Sequence, residues 1–397
     1  MKVLYITTGL YTGGAEVMLY QLLTRINRAK FSPVVLSLMN NGTIGERIQS
    51  LDIPVYTIDM EPGKPTLVAA WKLIRTVNQI KPDIIQGWMY QGNMAAQFAN
   101  LFNFKKIPVI WCIHHSINSL KSEKILTQIL IKLGILLSKL NYKVVFVSQN
   151  SKKQHEILGY YPDNTCVIPN GFDTLHFQAS QEQKCKLRSE LSLEPDTFLI
   201  GLVCRYHPMK DHANFIKAAA LLSQKFPHAR FLLAGRDVDY SNQSLLQLIQ
   251  DLEIRNKVYL LGERRDTSNI FSALDVLSVS SAYGEAFPLV IGEAMSCGIP
   301  CVVTNVGDSG WIVGNTGRVV EPRNPEALAN AWQDLIAIGL EARQALGKAA
   351  RERIINYFSL ANVVEQYEKL YLEVAGKTSL RKMVSLETQL QLYASKE

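Results

Sequence analysis

Short apolar runs recur along the first half of the chain, at residues 3–7, 31–38, 55–58, 84–87, 109–113 and 144–148. Stretches with helical spacing lie between them, including 15–27, 67–79 and 91–101. Apolar runs alternating with helices in this way predict a parallel sheet covered on both faces. A turn-rich segment at 167–173 and a polar, charged stretch at 178–194 interrupt the pattern, which then resumes. Strands are expected at 198–204, 231–234, 258–261, 275–280 and 301–304. Helices are expected at 211–226, 244–252, 270–272, 325–337, 343–357 and 360–374. The fold class is therefore α/β, with two similar parallel-sheet domains at 1–176 and 196–356. A closing helix and a polar tail make up 357–397.

Ligands of such sheets bind beyond the carboxyl ends of the strands, so residues there carry the candidate chemistry. The richest stretch runs from Ser281 to Met295, after the strand at 275–280. Pro288 suits the first turn of a helix, where its missing N–H costs nothing. Free N–H groups at such a helix start bind phosphate, aided by the helix dipole. Glu285 then lies in the loop and Glu293 in the helix. The helical steps from Pro288 to Glu293 climb roughly 7.5 Å at about 1.5 Å each. The two carboxylates would bracket a group the length of a pyrophosphate and hold a ribose and a second sugar by their hydroxyls. Arg205 and Lys210 follow the first strand of the second half and suit a diphosphate with its leaving-group charge. A solvated surface pair is the alternative. Asp237 and Asp239 form a DxD pair in an acidic turn, a pattern that can hold a divalent cation. No third acidic ligand accompanies them, and Arg205 and Lys210 make a metal unnecessary, so no metal is expected.

In the first half, Gly9 and then Gly13-Gly14 separate the opening strand from a helix. This is not the GxGxxG dinucleotide pattern. The glycines either let backbone approach a ligand closely or form a tight turn without one. Three further groups end strands: Gly87-Trp88-Met89, His114-His115-Ser116 and Ser148-Gln149-Asn150. Either histidine can hydrogen-bond a sugar or a phosphate, or be structural, and their adjacency leaves open which one points inward.

Composition bounds the partners. At 397 residues, 47% hydrophobic and 19% charged, the chain is an ordinary folded protein long enough for two cores. Its net charge of +7 is uneven. Residues 1–175 hold 18 Lys/Arg against 10 Asp/Glu, whereas the remainder holds 24 against 25. Within 105–153 there are nine lysines and one acid, Glu123, which points to an anionic partner for the first half. The apolar stretch 122–140 repeats leucine and isoleucine at helical spacing, with Lys124, Lys132 and Lys139 on its polar face. Such a helix can lie on an anionic membrane surface. The alternative is a domain helix that buries its leucines and solvates its lysines. Without aromatic-basic interleaving, nucleic acid is not an expected partner. No run of 18 apolar residues spans a bilayer, and residues 1–10 read as a first strand, not a signal peptide. Six scattered cysteines are expected to be buried, reduced thiols, which fits a cytosolic protein.

Several motifs together carry a resemblance. They are Gly13-Gly14-Ala15-Glu16, Pro169-Asn170-Gly171-Phe172-Asp173, Arg205 through Lys210, Gly235, Glu285 through Glu293, and Val306-Gly307-Asp308. Over nearly its whole length the chain resembles a family 4 retaining glycosyltransferase, and the Glu285–Glu293 spacing matches that family's E-x7-E element. The resemblance implies the GT-B architecture, two Rossmann-like parallel-sheet domains facing across a cleft. It implies that Glu293 binds the donor ribose and that Glu285 contacts the transferred sugar. The amides of Phe287 and Leu289, flanking Pro288, would lie near sugar and phosphate, and Arg205 and Lys210 would hold the diphosphate. His114 would contact the donor sugar, with His115 as fallback. Gly14, beside Gly13, would lie near the donor phosphate, and Leu261 and Gly262 would meet the base. The closing helix would cross back onto the first domain. Ala286, Cys204 and Gly292 depart from the family's usual Gly, Gly and Leu, which touches local backbone geometry and sugar choice.

The resulting expectation is a cytosolic enzyme, placed peripherally on the inner membrane face if the lysine-rich helix docks there. It would move a sugar from a nucleotide diphosphate-sugar to a hydroxyl of a surface polysaccharide or lipid-linked glycan, with retention and without a cofactor. Closure of the domains would exclude water. A sugar-nucleotide epimerase and a non-catalytic nucleotide-sugar binding protein are the rival readings.

Overall fold

A computed structural model of the chain describes residues 1–103, 105–117 and 119–376. Two compact units divide it, one of Met1–Pro169 with the described residues from Ala361 onward, the other of Asn170–Leu360. In the first unit β1 (Lys2–Thr7), β2 (Ser32–Ser37), β3 (Val55–Thr57), β4 (Ile84–Trp88), β5 (Val109–Ile113), β6 (Lys143–Phe146) and β7 (Thr165–Val167) form one sheet. Its order is β3-β2-β1-β4-β5-β6-β7, with every pairing parallel. In the second unit β8 (Phe198–Val203), β9 (Ala229–Ala234), β10 (Val258–Leu260), β11 (Val276–Val279), β12 (Cys301–Thr304) and β13 (Arg318–Val320) follow the order β10-β9-β8-β11-β12-β13, again parallel.

The central strands are largely apolar because helices cover both their faces. Val3, Leu4, Tyr5 and Ile6 of β1 are wholly buried, as are Leu199 and Ile200 of β8. Burial of each such side chain contributes about 1.5–3 kcal/mol. The helix at residues 360–376 packs on the first unit. Tyr371 meets Tyr5 with 3.1 Å between hydroxyls, and the Tyr367 hydroxyl lies 3.3 Å from Cys112 Sγ.

Departures from the sequence reading occur where elements are polar or short. Gly42–Gln49, Gln149–Leu158 and Gln181–Glu190 are helices that apolar periodicity did not announce. The last occupies the stretch read as a boundary and belongs to the second unit. Ser180 caps it, Leu187 alone of its side chains is buried, and Arg188 pairs with Asp275 at 2.7 Å. Strands β7 and β13, three residues each, were likewise not expected. The six cysteines are free, but Cys185 is exposed and Cys166 and Cys204 are only partly buried, which corrects the expectation of uniformly buried thiols.

The helix predicted over 122–140 is Ile125–Leu137 between two short 3-10 turns. Its leucines are not hidden. Ile125 is 77% exposed and Leu136 66%, and Leu126, Ile129 and Leu133 also face solvent. The reading of an ordinary helix with buried leucines is therefore wrong for this face. Among the described residues no helix is long and apolar enough to cross a membrane.

Candidate active site

In each sheet the strand order reverses at one point, between β1 and β4 in the first unit and between β8 and β11 in the second. Loops leaving two such neighbouring strands run to opposite faces and open a crevice beyond the carboxyl ends, the usual ligand position.

In the second unit the crevice is walled by the loops 204–210 and 280–288, which are stitched together. Ser280 Oγ donates to the carbonyls of Lys210 (2.9 Å) and Asp211 (3.2 Å), and Ala282 N–H donates to Met209 O at 2.8 Å. Thr304, at the end of β12, donates its hydroxyl to Ser281 O at 2.6 Å. This scaffold sets Lys210 Nζ directly against Glu285 Oε1, and Ser281 Oγ donates to the same oxygen at 2.6 Å. The lysine side chain is 16% exposed and the glutamate 8%. An ion pair so far from water holds because each charge is compensated, and loss of either partner would strand the other. Gly307, at φ 59°, passes over Glu285 so closely that a side chain at 307 would collide with the Glu285 carbonyl. The Val306-Gly307-Asp308 turn thus presses the Glu285 backbone into place, and Asp308 N–H donates to Ala286 O at 3.1 Å.

The helix expected from Pro288 runs Leu289–Ser296. Pro288 itself, at φ −70° and ψ 111°, is the extended cap residue before the helix and not part of its first turn. Ile291 N–H reaches the Pro288 carbonyl at 3.3 Å, whereas the N–H groups of Leu289 and Val290 have no intrahelical acceptors and point toward the crevice end of the helix. Phe287 is buried among aromatic rings, with Phe172 stacked at 6.0 Å, Phe358 at 5.8 Å and Trp311 at 5.9 Å. Glu293 is half-buried and has no hydrogen-bond or charge partner for its carboxylate among the described residues. Burial pushes its carboxyl up from an ordinary 4.5 to about 7. Gly292, next to it, lies under the Phe172 ring, and any side chain there would collide with that ring. The departure from Leu at 292 is therefore a packing consequence of Phe172.

Arg205 is exposed and has no carboxylate partner among the described residues. Burial and the neighbouring Lys210 hold His212 down to about 4, so His212 is neutral and the positive charge here is that of Lys210 and Arg205. Leu261 N–H donates to Leu233 O (2.9 Å), Gly262 N–H to Val238 O (2.9 Å), and Gly262 O accepts from Gly235 N–H (2.8 Å). Of the two residues expected to meet a base, the Leu261 carbonyl is the group left over. Asp239 accepts from Ser241 N–H (2.8 Å) and its hydroxyl (2.5 Å), and Asp237 faces Arg236 at 3.9 Å. The Asp239 carboxylate serves the turn, and that of Asp237 lies exposed beside its neighbour. Among the described residues no cluster of three His, Cys, Asp or Glu side chains has metal-binding geometry.

In the first unit Gly13 caps the helix Gly14–Arg25 in extended conformation, and Gly14 is exposed at its first position. Glu16, third in the helix, folds its carboxylate back over Gly13 and its own backbone N–H. The anion position at this helix start is thus occupied by the chain's own carboxylate. Glu three residues after a cap is a legible capping signal that the sequence reading passed over. The indole N–H of Trp88, ending β4, donates to Ala15 O at 2.9 Å and fixes the first turn of this helix.

His114 packs its ring 4.7 Å from that of Trp88. Its Nε2 lies 3.2 Å from Cys112 Sγ, and its Nδ1 is buried without a partner. Burial holds the imidazole down to about 3, so it is neutral at working pH. In this ring orientation neither nitrogen is offered to a ligand, and a contact requires the ring to turn. His115 is committed elsewhere, with Nε2 2.9 Å from Glu123. The two histidines are thereby distinguished, which their adjacency in sequence did not allow.

Known proteins place this geometry in context. A family model for glycosyl transferases group 1 matches residues 183–353, and one for glycosyltransferase family 4 matches residues 12–175. The Escherichia coli UDP-Gal:alpha-D-GlcNAc-diphosphoundecaprenol alpha-1,3-galactosyltransferase is 25% identical over 344 residues, covering 83% of this chain and 85% of its own length. The Bacillus anthracis N-acetyl-alpha-D-glucosaminyl L-malate synthase is 26% identical over 274 residues, covering 68% and 69%. Among solved structures, Anabaena HepE in complex with UDP superimposes with a TM-score of 0.82 at 24% identity, covering 94% of this chain and all of that one.

Proposed function

This chain belongs to the family 4 glycosyltransferases of GT-B architecture, and on that premise we propose that it moves a hexose from a uridine diphosphate-sugar to a lipid-linked glycan acceptor with retention of configuration. That it is a glycosyltransferase using a nucleotide sugar follows from the family. The choice of uridine and of a lipid-linked acceptor is supported by the E. coli relative, whose name specifies both. The observation that carries the site assignment is the buried Lys210–Glu285 pair beside the start of the helix Leu289–Ser296, at the switch point of the second sheet.

In this reading Arg205, Lys210 and the N–H groups of Phe287 and Leu289 receive the diphosphate, and Glu293 accepts hydrogen bonds from the ribose hydroxyls. Glu285 holds the transferred sugar, and the Leu261 carbonyl and Gly262 edge meet the base. The bond from the anomeric carbon to phosphate oxygen breaks with its electron pair leaving on the diphosphate. Preorganised positive groups stabilise that charge as it develops, typically by about 2.7–4 kcal/mol for one donor. The acceptor oxygen bonds the same face of the anomeric carbon, and its proton passes to a phosphate oxygen. No divalent metal is required, because Arg205, Lys210 and the helix start supply the positive charge. The exposed apolar face of Ile125–Leu137 with Lys121, Lys124 and Lys132 rests on an anionic membrane.

The test is transfer from UDP-galactose and UDP-glucose to a prenyl-diphosphate-linked GlcNAc, with and without EDTA, and product anomers read by NMR. An α-linked product insensitive to EDTA is expected. Conversion of the donor sugar without acceptor would establish the epimerase reading instead, and an inverted product would remove the retaining assignment.

A further inference from the structure

The first unit contains a cavity of about 420 Å³ that no part of the donor chemistry uses. It opens at the carboxyl ends of β1, β2 and β3, between the helices Leu67–Ile80, Met89–Leu101 and Ile125–Leu137. Its walls are almost wholly apolar, with Met39, Met60, Leu73, Met94, Phe98 and Leu130 prominent. Three polar side chains interrupt them: Thr66, whose hydroxyl oxygen caps the helix Leu67–Ile80 by accepting from Ala69 N–H, and the pair Thr8 and Gln91, joined at 3.2 Å directly before the Gly9–Gly14 loop. Thr66 is spent on its helix cap, so the cavity is apolar along most of its length, with its polar pair at the end nearest the glycine loop. That matches an amphiphile whose polar head belongs at the carboxyl ends of the strands, where the sheet presents its ligand site.

We propose that this cavity holds the first isoprene units of a prenyl-phosphate acceptor lipid, a reading that rests on the lipid-linked acceptor proposed above. A volume of about 420 Å³ accommodates roughly a dozen methylene-sized groups, taking about 30 Å³ for a group the size of water in a liquid. The three methionines favour a methyl-branched chain, because unbranched thioether side chains re-pack around irregular shapes. Charge complementarity fixes the direction of approach. Leu126 and Leu130 line the cavity while Ile125, Ile129 and Leu133 of the same helix are open to solvent, and exposed Lys121, Lys124 and Lys132 flank them. A chain entering from an anionic bilayer would cross this apolar rim with its phosphate among lysines.

The experiment uses the full chain and monomeric farnesyl phosphate in calorimetric titration, with dimethylallyl phosphate, dodecyl phosphate and inorganic phosphate as comparisons. Ala70→Phe and Ala95→Phe fill the cavity from half-buried wall positions that take no part in donor binding. Leu136→Ser alters the exposed face without touching the cavity wall. Farnesyl phosphate should bind at least about tenfold more tightly than dimethylallyl phosphate, as ten further buried carbons allow. Both filling variants should lose about that factor with an unchanged melting profile. Leu136→Ser should retain farnesyl phosphate binding and lose affinity for phosphatidylglycerol vesicles. Equal binding of the two prenyl phosphates, or filled variants that bind as the parent does, would overturn the cavity assignment. Dodecyl phosphate binding as tightly as farnesyl phosphate would overturn the prenyl occupant in favour of an acyl chain. Transfer to a prenyl-diphosphate glycan without farnesyl phosphate binding would sink the cavity and leave the function standing. Binding without such transfer would sink the acceptor instead.

Discussion

At the switch point of the second sheet, Lys210 is buried against Glu285, and Arg205 is exposed with no carboxylate partner among the described residues. At the switch point of the first, the helix start is covered by Glu16 and the neighbouring space is an apolar cavity. Topology is shared, and furnishing is not. One unit keeps positive groups for an incoming anion, whereas the other neutralises its own helix end and offers hydrocarbon surface. A parallel sheet fixes where a ligand sits, and the loop residues decide what it is.

The largest effect expected follows from breaking the charged side of the comparison. Lys210→Ala should lower kcat by about 10²–10³ and destabilise the fold by about 1.5–3 kcal/mol, because Glu285 loses its charged partner. Adding Glu285→Ala should return most of the stability and none of the turnover, as read by paired melting and kinetic measurements. If turnover returned with stability, Lys210 would be only a folding partner of Glu285.

A smaller effect concerns the support beneath that site. Gly292→Leu drives a side chain into the Phe172 ring and should cost about 1–3 kcal/mol through overpacking. Combining it with Phe172→Ala should recover part of the loss, because the two changes share one space. Additive destabilisation would show that Phe172 does not explain glycine at 292.

The smallest effect is expected in the first unit. Glu16→Gln removes a carboxylate from a helix start and should cost about 0.3–1 kcal/mol. If Glu16 is only a cap, donor KM should stay within about twofold of the parent, an effect of no more than about 0.4 kcal/mol. A large rise in KM would place Glu16 in the donor site and erase the contrast between the units.

Much of this was legible in the residues, and the gaps have physical causes. Strands buried on both faces appear as unbroken apolar runs, so β5 and β12 were expected where they occur. The helix Gln181–Glu190 buries one leucine and is held by Arg188–Asp275, so its periodicity is nearly silent. Pro288 misled by one position because proline fits both the first helical turn and the extended residue before it, and only ψ separates them. Glu285 and Glu293 announced themselves by spacing. That Lys210 meets Glu285 across 75 residues depends on strand order, which no local pattern encodes. Nor does sequence disclose that the His114 ring turns its nitrogens toward Cys112 and the interior.

The central claim, that the second unit binds a nucleotide diphosphate through Glu293, is tested most directly by titrating UDP between pH 6 and 8. With its pKa raised to about 7, the Glu293 carboxyl is protonated at pH 6 and ionised at pH 8. Its preference for the neutral form stabilises the fold fully below about pH 4.5, and that contribution is lost as pH rises through about 7. Hydroxyl donors from a ribose favour the ionised form, so binding runs the opposite way. UDP affinity should rise from pH 6 to 8 in the parent by more than ionisation of the UDP terminal phosphate provides, and Glu293→Gln should be weaker at pH 8 and keep only that ligand contribution. A parent and a variant with the same affinity at every pH would contradict the account.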